Sequence, residues 1–160
     1  MKNVMTPAIR HLEERGVDYR ILQHNGPILS LEQAARERNQ LPSQVVRSIV
    51  FRLAEDTFLM VLMPGPGQVP WKQLRRYLNQ TRLTMASEEE LLAATGYRPG
   101  TVTPFGLPRP MRILIDQGVL DQPEISLGSG QRGTAIIMRP ENLLAALDRY
   151  EIVNFSGETA

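Results

Sequence analysis

The sequence contains no cysteine, which excludes disulfide staples, thiolate metal sites and a cysteine nucleophile. Histidine is nearly as scarce, with only His11 and His24. There is no Gly-x-Ser-x-Gly elbow, P-loop, dinucleotide fingerprint or histidine/carboxylate cluster with metal-ligand spacing. Long apolar runs are missing too. The longest, Phe58 to Met63, is far too short to cross a bilayer, and the start MKNVMTPAIRHLEERG has no apolar signal core. The expectation is a soluble, cytoplasmic protein with no cofactor, metal or membrane partner. An enzyme with this repertoire would act through positioning and backbone dipoles more than through a dedicated nucleophile.

Acidic residues are absent from two stretches, between Asp56 and Glu88 and between Glu90 and Asp116. Residues 57–115 therefore carry seven bases against Glu88, Glu89 and Glu90, a balance of +4, while the remainder sums to −3. This asymmetry points modestly to a polyanionic partner; an unevenly charged solvated surface is the plain alternative. Lysine is rare as well: Lys2 and Lys72 stand beside 16 arginines.

What is present fits one domain spanning residues 1–160. A chain of this size can bury about 70% of its unfolded surface without covalent staples. Thr6, Pro7 and Gly16 predict a first helix with its cap, first residue and stop. A strand is expected at Tyr19 to Leu22, and Ser30 with Gln33 predicts a capped helix to about Arg38. Strands follow at Val45 to Leu53 and Thr57 to Met63, the second apolar on both faces and therefore central. Trp71, Leu74 and Leu78 mark a buried helical stripe, and Ser87 with Glu90 caps another helix. Strands at Arg112 to Asp116, Glu124 to Leu127 and Thr134 to Met138 precede a closing helix from Pro140 to Asp148. The class is mixed α/β: several strands succeed one another without a helix between, favouring a mixed, barrel-like sheet over a doubly wound one.

Glycine and proline are clustered. Five of them lie in PGPGQVP (Pro64 to Pro70), seven in GYRPGTVTPFGLPRP (Gly96 to Pro110) and three in GSGQRG (Gly128 to Gly133). Each alone reads as a tight turn; together, beside apolar strands, they suggest a binding mouth with free backbone donors. In VVRSIVFRL, alternation puts Val45, Arg47, Ile49, Phe51 and Leu53 on one face and Val46, Ser48, Val50 and Arg52 on the other. Arg47 then projects from the more apolar face, where a guanidinium needs a carboxylate, a phosphate or carbonyl dipoles, or else a route to water. His11 is expected to be a solvated helix residue; His24 either bonds a loop or lines a site.

QVVRSIVF with a second apolar strand, then TGYRPGTVTPFG, RILID and GSGQRG before a strand and a PENLL helix, occur in the order of one family. Along nearly its whole length the chain resembles the YbaK/prolyl-tRNA synthetase-associated editing domain, most specifically in Thr95, Gly96, Tyr97, Gly100 and Pro104. The resemblance implies a mixed, barrel-like sheet flanked by helices, and hydrolysis of the ester joining a wrong amino acid to the terminal adenosine of a tRNA. It places Gly100, Thr101, Val102, Thr103 and Pro104 at the aminoacyl group, with backbone groups and the substrate's ribose hydroxyl orienting water. Arg47 stands where the family has a lysine, as the remaining catalytic candidate. His24, Met63, Ser129 and Gly130 are substrate-binding candidates, although Met63 reads more readily as a core residue. Lys72, Arg75 and Arg76 are candidates for tRNA backbone contacts. The implied partners are the acceptor end of an aminoacyl-tRNA, with tRNA for proline carrying a small amino acid as the expected substrate, and an aminoacyl-tRNA synthetase. Two alternatives stay open: a non-catalytic module that binds aminoacyl-tRNA or a synthetase, and hydrolysis of a small aminoacyl ester without tRNA.

Overall fold

Local chemistry sets the helix ends. In the computed structural model, which describes residues 5–155, the first helix, α1 (Pro7–Arg15), starts where Thr6 Oγ1 accepts from Ile9 N at 3.2 Å. It stops at Gly16, whose φ of 65° lies in the left-handed region. Residues 1–4 of the N-terminal segment lie outside the described residues. The second helix, α2 (Leu31–Glu37), is capped by Ser30, which accepts from Gln33 N at 3.0 Å. The Gln33 side chain, however, bonds Leu29 N and Pro27 O rather than closing the box on Ser30. The Ser87–Glu90 box of α4 (Glu88–Thr95) closes in both directions, at 3.1 and 2.9 Å.

Among the described residues there are eight strands: β1 (Arg20–Gln23), β2 (Val46–Ala54), β3 (Thr57–Pro64), β4 (Thr84–Met85), β5 (Arg112–Asp116), β6 (Ile125–Gly128), β7 (Thr134–Met138) and β8 (Glu151–Val153). They form two sheets. A five-stranded one runs β4-β2-β3-β5-β8, antiparallel up to β3 and parallel from β3 to β8. A three-stranded antiparallel one runs β1-β7-β6. The mixed sheet and the central place of β3 agree with the sequence pattern. The strands do not close into a barrel; a parallel bridge at Val45 and Ser126 links the two sheets. β4, β8 and the short helix α5 (Gln117–Leu120) have no counterpart in the pattern, because two to four residues carry no readable period. The closing helix, α6 (Pro140–Ala145), stops three residues short of the expected Asp148.

The five-stranded sheet buries both faces. One face carries Val46, Val50, Met60 and Leu62 against α1, the three-stranded sheet, Tyr97, Val102 and Phe105. The opposite face carries Ile49, Phe51, Leu59, Val61 and Met63 against Trp71, Leu74 and Leu78 of α3 (Trp71–Leu78). Phe51 is fully buried there, edge-on to Trp71 with ring centroids 5.3 Å apart.

Candidate active site

β2 is left partly unpaired along one edge. β4 meets it only at Phe51 and Arg52, Ala86 N donates to Val50 O, and the Val45–Ser126 bridge holds the other end. Among the described residues no strand pairs with Val46 to Ile49 on that edge. A cleft of about 510 Å³ opens there. Ile28 to Leu31, Ala34 and Arg38 wall one side; Met85, Ala86, Leu91, Pro99, Gly100 and Val102 wall the other, with Gly128 and Thr134 beside them.

The loop from Gly96 to Gly106 is held from behind. Gly96, at φ 79°, ends α4, while Thr95 Oγ1 donates to Leu91 O and accepts from Tyr97 N. The Tyr97 hydroxyl donates to Phe105 O at 2.5 Å, and burial pushes its pKa well above the ordinary phenol value. Thr101 Oγ1 and Thr101 N both donate to Arg98 O. The GSG turn packs directly on this loop: Gly130 N donates to Thr101 O at 3.0 Å. A Cβ on Gly128 would lie 2.5 Å from Val102 O, and one on Gly130 would lie 2.7 Å from the Tyr97 ring. Two of the three glycine-rich stretches thus fit together through main chain that no side chain could share. Among the described residues the amides of Gly100 and Val102, both at the cleft, meet no acceptor. Gly100 has φ 85° and open space where a Cβ would be.

These motifs in this order decide the family. A model of the aminoacyl-tRNA editing domain matches residues 25–146. The chain belongs to the aminoacyl-tRNA editing domain family. It is 34% identical over 92 residues to a proline--tRNA ligase of Thermosipho africanus (strain TCF52B), covering 58% of this chain and 16% of the ligase. It is 27% identical over 114 residues to the uncharacterized protein YwhH of Bacillus subtilis (strain 168), covering 71% and 72% of the two chains. The chain therefore spans only a small part of the ligase but most of YwhH. The fold matches that of a crystal structure described as a candidate trans-editing enzyme for prolyl tRNA synthetase. That match has a TM-score of 0.82 and 24% identity, covering 94% of this chain and 98% of the other.

Within this editing domain the sequence-derived site residues fall into three groups. Gly100 and Val102 line the cleft, whereas Thr101, Thr103 and Pro104 are buried behind them. Thr103 Oγ1 is buried with no hydrogen-bond partner. Arg47 borders the cleft, but its Nη2 donates to Gly67 O in the third glycine-proline stretch, and its Nε is buried without a partner. Burial lowers its pKa. Of the partners the sequence allowed, Arg47 has found a carbonyl dipole.

The remaining candidates lie outside the cleft lining. Met63 pairs in register with Arg47 and is a core residue of the α3 face. Ser129 Oγ is engaged with Thr134 Oγ1, Thr134 O and Gln131 O, and Gly130 supports the loop. Lys72, Arg75 and Arg76 belong to α3, across the sheet from Gly100 and Val102. His11 differs from its expected solvated role: its ring bonds Ala146 O at 2.7 Å and accepts from Gly106 N at 3.1 Å, pinning α1 to α6 and to the loop.

Two lining residues escaped the sequence reading. Ser48, on the Val46–Val50 face, has a buried hydroxyl without a partner; alternation placed it, but nothing in the sequence marked it. Arg38 donates through Nε to His24 Nε2 at 3.1 Å and through Nη1 to Ser126 Oγ at 2.9 Å. His24, with a side chain 1% exposed, passes its own contact on to Glu37 at 2.7 Å. Among the described residues no group of three or more His, Asp or Glu could hold a metal ion. No described helix is long and apolar enough to cross a membrane.

Proposed function

We propose that the whole chain acts as one free-standing editing domain, a trans-acting deacylase. It hydrolyses the ester of a mischarged tRNA, with tRNA for proline carrying a small amino acid as the foremost substrate. The observation that carries this reading is that Gly100 and Val102, whose amides meet no acceptor among the described residues, line a cleft with cationic side chains on its border. Family membership and the trans-editing role named for its structural neighbour support it.

Water attacks the acyl carbon, negative charge builds on the carbonyl oxygen, and the carbon–oxygen bond to the ribose then breaks as that oxygen gains a proton. One well-placed N–H donor to such an oxyanion contributes about 3–4 kcal/mol. Among the described residues, those lining the cleft include no carboxylate or imidazole. Water is accordingly oriented by main chain and by the neighbouring ribose hydroxyl rather than deprotonated by a side chain. The apolar lining near Leu91 and Val102 faces the amino-acid side chain, and such a surface separates substrates by about 1–3 kcal/mol per methylene. A cytoplasmic setting and the acceptor end of tRNA as partner belong to the same reading.

The test is to incubate the protein with tRNA for proline charged with alanine or cysteine and follow loss of the aminoacyl group. Hydrolysis above the buffer rate is expected; none for any amino acid tried would reject the reading. The tie between Arg47 and Gly67 favours a second reading, a module that binds aminoacyl-tRNA or a synthetase without turnover. Arg47→Lys separates the two. Turnover gained only in the lysine variant supports the non-catalytic module, whereas turnover lost with lysine identifies arginine as the working residue.

A further inference from the structure

The cleft contains a cation, Arg38, that no carboxylate among the described residues meets at ion-pair distance. Arg38 follows α2 and is half-buried. Glu37, next in the chain, is committed to His24 and Gln33. Because arginine only donates, His24 Nε2 must accept from Arg38 Nε, which leaves the imidazole proton on Nδ1, where it is donated to Glu37. Gln33, Glu37 and His24 thus form a chain of hydrogen bonds ending on one side of the guanidinium, and Ser126 of β6 holds a second point. Two of its five N–H groups are used. The other three meet no acceptor among the described residues, and the side chain lines the cleft.

A fork fixed at two points, with its other donors left for a ligand, matches an anion with several oxygens better than a single carbonyl. Burial lowers the Arg38 pKa, with Glu37 opposing only in part, so a full negative charge is the partner that would restore the balance. Arg47, by contrast, already directs a donor to a main-chain carbonyl, Gly67 O.

We propose that Arg38, held by His24 and Ser126, anchors the phosphodiester on the 5′ side of the terminal adenosine whose acyl group meets Gly100 and Val102. This rests on the aminoacyl-tRNA reading of the cleft. Arg38 binds the ligand, and His24 is a positioning residue acting through it.

The test compares two non-hydrolysable probes, an amide-linked 3′-aminoacyl-adenosine with and without a 5′-phosphate, by calorimetry on the full chain. In the wild type the phosphate should tighten Kd about tenfold at low salt, and the advantage should shrink as ionic strength rises. Arg38→Gln should bind both probes equally, losing the tenfold phosphate preference. Arg38→Lys should keep about a threefold preference, since it retains charge but not the fork. Unchanged denaturation midpoints separate this from misfolding, and the wild-type salt series stands even where a variant fails to fold. The proposal is overturned if Arg38→Gln keeps the phosphate preference, weakens both probes alike, or if the wild type binds neither probe. Absence of deacylation together with an intact, Arg38-dependent phosphate preference would sink the deacylase reading and leave this one standing.

Discussion

The two faces of β2 do opposite work with alternate residues of one strand. On the α3 side, Ile49 and Phe51 are packed into an apolar layer with Leu74 and Leu78. On the other, Val46 and Val50 reach the core while Ser48 between them leaves a buried hydroxyl unbonded at the cleft. An orphaned buried hydroxyl costs about 1–3 kcal/mol, so this face gives up stability that a Val or Ala would recover. The contrast teaches where selection for binding and for packing separate: at adjacent residues, through the two-residue period of a strand. Arg47 is the exception, a charge on the packing face that reaches round to Gly67.

The comparison breaks most visibly at Phe51. Phe51→Ala removes a fully buried ring and should cost about 3–5 kcal/mol in denaturant unfolding, with cleft binding retained in the fraction still folded. If binding vanished while stability held, the division between faces would be wrong. Gly128→Ala should come next. Its Cβ would meet Val102 O and Thr101 O, both main chain, so a loss of about 1–3 kcal/mol is expected together with displaced loop amides and reduced deacylation. Ser48→Ala sharpens the contrast from the other side. Unfolding stability should hold or rise, while deacylation falls about tenfold, one hydrogen bond's worth.

The smallest effect lies far from either face of β2. Hydrogen bonds from Arg112 hold the Glu151 carboxyl below its usual range, joining β5 to β8. A lowered folded pKa gives stability that is complete above the unfolded value, about 4.3, and is lost as pH falls through the lower folded one. Because both partners are partly exposed, the contribution should stay within about 1 kcal/mol. Glu151→Gln should remove that acid-limb dependence in a stability-versus-pH series, leaving the neutral-pH cleft unchanged.

Much of the site was readable where the chemistry is local. The Thr95–Gly96–Tyr97 run ends a helix in a left-handed glycine and anchors a phenol eight residues on, at Phe105, all within one short stretch. The alternation that put Arg47 on the packing face is likewise a property of consecutive residues. Arg38 gave no such signal. Its role depends on His24, fourteen positions before it, and on Ser126, eighty-eight positions after it. Lys72, Arg75 and Arg76 cluster visibly along one helix, but only the fold shows that α3 lies across the sheet from the cleft amides.

The sequence by itself determined the helix caps, the faces of the strands, the rigid glycine-proline loops and the editing-domain family. These follow from bonds and steric limits within a few residues of each other. Tertiary structure alone decided that the edge of β2 stays open from Val46 to Ile49, that the GSG turn closes on the Gly100 loop, and that Arg38 supplies a cation there. Each of these depends on which distant segments come into contact, and no local period encodes that.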